Sequence, residues 1–165
     1  MLLKIKKFLS SDAMSIKVNE NLVIDDKEFL EQTHLNENVL LTGEIFKIDD
    51  SVEFTGAISY TFTDECARCL TDFNNTIETK FQAAIVHKED IESDEVQLVM
   101  TDGNVRMDDT IKQLVYLSMP MRSLCNNNCK GICPDCGVNL NNKKCQCENN
   151  LIDPRFEKLK DLLND

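Results

Sequence analysis

Eight cysteines are the residues whose type and spacing could do chemistry in this 165-residue chain. Six fall within residues 125–147, as Cys125, Cys129, Cys133, Cys136, Cys145 and Cys147, and two more, Cys66 and Cys69, form a Cys-Ala-Arg-Cys group far upstream. The 125–147 stretch is poor in large apolar side chains, so burial of hydrocarbon cannot hold it. Thiolates converging on a tetrahedral cation can, because the ion fixes chain positions that local propensity leaves free. A Cys-x-x-Cys turn brings two sulfurs to one ion, and in Cys133-Pro134-Asp135-Cys136-Gly137 a glycine follows directly, where such a turn tends to need a left-handed residue. Cys145 and Cys147 can complete that set. The remaining four, Cys66, Cys69, Cys125 and Cys129, would then form a second all-cysteine site that closes a long loop. Zn2+ is the expected ion at both.

Other allocations stay open at this stage. Cys66 and Cys69 could join Cys133 and Cys136 in the manner of a zinc ribbon, leaving one site in place of two. An iron–sulfur cluster could use the same thiolates, although its usual spacings are absent. Cys66 and Cys69 could also act as a redox dithiol, but such motifs open a helix after a strand, whereas this pair joins two strands. Finally, Cys145 or Cys147 could be an ordinary reduced bystander. Catalytic constellations are missing. His34 and His87 are the only histidines, neither lies near a nucleophile, no glycine-rich phosphate loop occurs among five glycines, and all-cysteine sites leave no open coordination position. The chain reads as a non-enzyme with no small-molecule substrate.

Charge bounds the partners. The formal net charge is -11, and two divalent ions held by eight thiolates would take it to -15. Such a body is poorly suited to wrapping phosphate backbones. The distribution is uneven, however. Arg122, Lys130, Lys143 and Lys144 face a single acid, Asp135, within residues 122–144, and Lys4, Lys6 and Lys7 have no acid beside them in residues 1–9. No segment approaches the apolar length of a membrane span and no export signal opens the chain, so a cytosolic protein without membrane contact is expected.

The elements that must position the cysteines follow from periodicity. The opening residues alternate loosely as a strand, with a weaker strand near Ala13 to Val18 and a short helix over residues 25–34. From Val52 to Thr63 the alternation is strict, with Val52, Phe54, Gly56, Ile58, Tyr60 and Phe62 on one side. Phe73, Ile77, Phe81, Ala83 and Ile85 repeat it, which places Cys66 and Cys69 in the turn between two long strands. Residues 88–95 are a charged, solvated loop. A short strand at Val96 to Met100, an Asp102-Gly103 hairpin turn, and a helix over 109–119 follow. Asp108 or Asp109 caps that helix, Ile111, Leu114, Val115 and Leu117 form its apolar face, and Pro120 ends it. Asp153-Pro154 opens a terminal helix striped by Phe156, Leu159, Leu162 and Leu163. The expected fold is α+β. An antiparallel sheet, barrel-like in the limit, carries one packed helix in residues 1–124, and residues 125–165 form a zinc-stapled extension ending in a helix.

Cys66-Ala67-Arg68-Cys69-Leu70, the run from Cys129 through Cys133-Pro134-Asp135-Cys136-Gly137 to Asn141, the pair Cys145-Gln146-Cys147 and the closing Asp153-Pro154-Arg155-Phe156 together resemble the YceD family, the large ribosomal RNA subunit accumulation proteins of bacteria and plastids. The resemblance implies a cytosolic, non-enzymatic ribosome biogenesis factor for processing or accumulation of large-subunit (23S) ribosomal RNA. It implies no catalytic residues. Two modes of action follow. The acidic body binds a ribosomal protein or pre-large-subunit particle, which the net charge favours, or Arg68, Arg122, Lys130, Lys143 and Lys144 touch ribosomal RNA directly. A thiol redox sensor is a third class.

Overall fold

The computed structural model describes residues 2–49, 51–87 and 96–147. Its framework is a meander of four long strands, β2 (Ser15–Val23), β3 (Leu35–Ile48), β4 (Ser51–Glu65) and β5 (Asp72–Val86), each antiparallel to the next. The strict alternation of β4 has the expected consequence: Phe54, Ile58, Tyr60 and Phe62 are buried. Val39, Leu41 and Ile45 of β3, and Phe81, Ala83 and Ile85 of β5, complete the same apolar face. Short strands extend the sheet beyond β5. These are β6 (Gln97–Thr101), β7 (Asn104–Arg106) and β1 (Leu2–Lys4), giving seven strands in the order β1-β7-β6-β5-β4-β3-β2, curled into a half-barrel.

One pairing departs from the antiparallel expectation. β5 and β6 run parallel, with Ala84 opposite Gln97 and Val86 opposite Val99. A parallel neighbour cannot be reached by a tight turn and needs a crossover. The charged stretch 88–95 that makes this connection lies outside the described residues, as does the anticipated terminal helix. The hairpin at Asp102-Gly103 forms as expected, with Gly103 at a φ of 78°.

The opening segment is a strand only from Leu2 to Lys4, and a one-turn helix, α1 (Lys6–Leu9), replaces the rest. Ile5 and Phe8 are both buried, a spacing of three that a strand would split between opposite faces. This helix bridges the β6–β7 turn and β3. On one side the Ile5 amide donates to the Gly103 carbonyl. On the other, Lys47 of β3 sits over the Phe8 ring at 4.6 Å and its Nζ donates to the Leu9 carbonyl at 3.2 Å.

Two helices, not one, close the concave face. In α2 (Lys27–Thr33), Asp26 caps the N-terminus by accepting from the Phe29 amide. In α3 (Asp108–Ser118), Ile111, Leu114 and Val115 are buried, and the Tyr60 hydroxyl lies 2.7 Å from the Ser118 hydroxyl. Lys112 bridges to Asp26 at 2.6 Å, and Tyr116 packs edge-on against Phe29, joining the helices to each other. Two details of α3 differ from expectation. Met107 is the N-cap residue, with Asp108 and Asp109 inside the first turn. Leu117 is 77% exposed because it lies about 200° around the helix from Val115. Among the described residues no helix is long and apolar enough to cross a membrane.

Candidate metal centre

The eight thiols fall into two groups of four: Cys66, Cys69, Cys125 and Cys129, and Cys133, Cys136, Cys145 and Cys147. Within each group every Sγ lies within 4.8 Å of the others. Cys66 and Cys69 share no cluster with Cys133 and Cys136. All eight are free of disulfides. Cys66 Sγ is 3.8 Å from Cys129 Sγ and Cys69 Sγ is 3.6 Å from Cys125 Sγ. A tetrahedral ion with metal–sulfur bonds of about 2.3 Å sets its ligands about 3.8 Å apart, so four sulfurs at this separation fit such an ion.

Local backbone chemistry builds the first group. β4 ends at Glu65 and β5 begins at Asp72, and the connecting turn is closed by Leu70 N donating to Cys66 O. Leu70, directly after the second cysteine, is left-handed with a φ of 55°. Gly137 holds the same place after Cys136 with a φ of 70°, so the two turns share one geometry although only one uses glycine. The chain returning from α3 docks on this turn, where Ala67 N donates to Ser123 O and Arg68 Nη1 donates to Cys129 O at 2.9 Å. Phe73, Leu124 and Ile132 pack around the three buried sulfurs of Cys66, Cys69 and Cys129.

The second group hangs on the first. Ile132 N donates to Arg68 O, and Gly131 sits so close that a Cβ there would meet Arg68 O at 3.0 Å. Cys133 N donates to Val138 O and Gly137 N to Cys133 O, forming the tight turn. Cys136 is exposed and Cys145 and Cys147 are half-buried, so this group is the more open one.

Electrostatics repeat in both groups. Backbone amides, first those of Cys125 and then of Arg68 and Cys69, point at Cys66 and lower its thiol from about 9 to about 6. The amides of Cys136 and Asp135 lower Cys133 to about 7. Hydrogen bonding to Cys69 and burial push Cys125 up to about 12, and Cys136 and burial do the same to Cys147. Cys66 thus ionises more readily than Cys125 in the first tetrad, and Cys133 more readily than Cys147 in the second.

Residues of a kind that sequence reasoning passed over orient the thiols. Asn141 Nδ2 donates to Cys129 Sγ at 3.3 Å while its Oδ1 accepts from Lys130 N at 2.8 Å. Asn139 Nδ2 reaches the Thr71 hydroxyl at 3.4 Å, and that hydroxyl lies 3.4 Å from Cys69 Sγ. Both asparagines belong to the loop between Cys136 and Cys145, yet both serve the other tetrad. Their signal was an asparagine-rich run between two ligand pairs.

The basic candidates divide. Arg68 is committed to the carbonyl of Cys129. Arg122, Lys130, Lys143 and Lys144 are exposed, and Lys143 and Lys144 line an open depression with Cys136, Cys145 and Cys147.

A curled sheet whose longest hairpin turn is sewn to a cysteine-rich segment defines a class of small, thiol-clustered β proteins. A sequence model described as large ribosomal RNA subunit accumulation protein YceD matches residues 54–163, and the chain belongs to that family. An uncharacterised protein of Mycobacterium tuberculosis is 30% identical over 121 residues, covering 70% of this chain and 58% of its own length. The chloroplastic large ribosomal RNA subunit accumulation protein YCED homolog 1 of Arabidopsis thaliana is 23% identical over 83% of the chain and 50% of its own length. Bacillus subtilis YlbN is 29% identical over 82% of the chain and 87% of its own length. The chain thus spans between half and three-fifths of the mycobacterial and plant relatives. No solved structure matches.

Proposed function

We propose that the chain is a non-enzymatic factor supporting processing or accumulation of large-subunit ribosomal RNA, and that its tetrads each hold a structural Zn2+. A sheet body, residues 1–124, carries a cysteine-rich extension, residues 125–165, and the stiffened surface docks in the cytoplasm on a ribosomal protein or pre-large-subunit particle. Family membership supports the ribosomal role. The observation that carries the metal half is the spacing of Cys66, Cys69, Cys125 and Cys129, four sulfurs converging from chain segments about sixty residues apart. Bound zinc supplies a closed four-thiolate cross-link with no open position for substrate. The chain's own groups do the rest: amides at Cys66 and Cys133 favour thiolates, and Arg68 and Asn141 hold the Cys129 segment in place. A protein partner is favoured over bulk RNA wrapping by the net charge of -11.

Elemental analysis of the native protein tests the metal assignment. Two zinc atoms per chain are expected, with one lost in Cys66→Ser and one in Cys133→Ser; a folded protein without metal would sink it. For the ribosomal role, depleting the protein should lower mature 23S RNA, with restoration by the intact chain and not by Cys66→Ser. Capture of a ribosomal protein that survives nuclease treatment is the expected result for the partner.

A further inference from the structure

The strand and helix that open the chain carry a basic cluster that the cysteine region does not explain. Leu3, Ile5 and Phe8 are buried in the core, so the segment is held rigidly and its lysines are turned outward. Lys4, Lys6, Lys7 and Ser10 line one depression together with Asp102 and Asn104 of the β6–β7 hairpin, a space of about 930 Å³. Lys4 pairs with Asn104 across the β1–β7 ladder, and two residues along, Leu2 pairs with Arg106. Side chains two apart on a strand share a face, so Arg106 lies on the side of Lys4. Gly103 makes the arrangement possible. A Cβ there would come within 2.6 Å of Lys6 Cβ and 3.0 Å of its Cα, so a glycine lets Lys6 close against the turn. Three lysines and one acid, Asp102, thus line the depression, with Arg106 on the same face of this sheet edge, in a chain whose net charge is -11.

We infer that this edge is a docking surface for the phosphate backbone of RNA, an inference that rests on the large-subunit RNA reading above and locates an RNA contact away from the cysteines. Four cations with a serine hydroxyl and an asparagine amide suit phosphodiester oxygens. No aromatic side chain lines the depression, so bases are not stacked and binding is independent of sequence. Acids elsewhere on the body are screened beyond about 8 Å at physiological salt. A membrane surface is disfavoured because Leu3, Ile5 and Phe8 are in the core, which leaves Leu2, 61% exposed, as the one largely exposed apolar side chain among the described residues of this segment.

Fluorescence anisotropy with a mixed-sequence single-stranded RNA oligonucleotide, titrated at several salt concentrations against zinc-replete protein, tests this. Intact protein is expected to bind with a log–log salt slope of roughly -3, about -0.7 for each of four contacts. The combined Lys4→Gln, Lys6→Gln, Lys7→Gln, Arg106→Gln variant should lose at least tenfold in affinity and most of that slope, while Lys143→Gln, Lys144→Gln changes little. Circular dichroism and sedimentation establish that the edge variant is folded and monodisperse. Should it misfold or aggregate, Lys4→Gln, Lys7→Gln alone must lower the slope by about 1.4. Undiminished binding by the edge variant, dependence on Lys143 and Lys144 instead, or no RNA binding by the intact protein overturns the inference. None of these results bears on the 23S depletion experiment, which decides the broader reading separately.

Discussion

Asn141 shows how one side chain can serve a site whose ligands belong to another loop. Its amide donates to Cys129 Sγ, and such a bond stabilises the thiolate and fixes its direction. Asn141→Ala should weaken metal binding at the first tetrad by about tenfold, measured by competition with a chromogenic chelator. Asn142→Ala should leave it unchanged, because Asn142 donates its backbone amide to Asn139 O and alanine keeps that amide. The thiols themselves make a pH prediction for metal-free protein. Cys66 and Cys133, lowered to about 6 and about 7, contribute stability that is full above the ordinary thiol value of 9.0 and is lost as pH falls through those values. Cys125 and Cys147, raised to about 12, contribute in the opposite sense, with stability present below 9.0 and lost as pH climbs toward 12. Chemical denaturation of the metal-free chain should therefore show a maximum near pH 9, and a monotonic profile between pH 6 and 11 would contradict it.

Between the residue and the whole stands the β4–β5 turn, the element on which the cysteine region is assembled. Metal held by the first tetrad would tie this turn to residue 129 and close a loop of about sixty residues, whereas at the second it would close a short one within its own loop. A cross-link over that length stabilises by on the order of 4 kcal/mol in the loop-closure account. Cys66→Ser should accordingly lower the melting temperature of zinc-bound protein far more than Cys133→Ser does, a comparison that differential scanning calorimetry makes directly. How much of this was legible in advance depended on the kind of signal. The alternation in Phe54, Ile58, Tyr60 and Phe62 marked β4 because a half-buried strand leaves a period of two, and the placement of Cys66 and Cys69 in a turn followed. The partition of the thiols was only one of the arrangements that spacing allowed. Which sulfurs meet depends on where α3 delivers residue 123, a tertiary fact settled by Ala67 and Ser123. Leu117 was misplaced because an apolar residue near a helix end resembles a core residue until the helix is set on its sheet. The parallel run of β6 was invisible because strand direction leaves no trace in a five-residue pattern.

For the molecule as a whole, the seven-stranded order puts sequence-local and sequence-distant pairings side by side. β2 through β5 pair with their immediate successors, while β1 finds its partner in β7, Leu3 opposite Val105. α1 and the Lys47 clasp link the β6–β7 turn to β3 across the concave side. Charge follows the same division, an acidic body with a basic edge where β1 lies. Nearby pairings close short loops and form early, whereas β1 must wait for a chain segment about a hundred residues away. Pulsed hydrogen exchange during refolding should find β3 and β4 amides protected before the amide of Leu3. On the ribosome the consequence is a matter of timing: β1 leaves the exit tunnel about a hundred residues ahead of its partner and has nothing to pair with until Arg106 has followed it out. The positive segment that carries β1 is therefore exposed, next to ribosomal RNA, while those hundred residues are made.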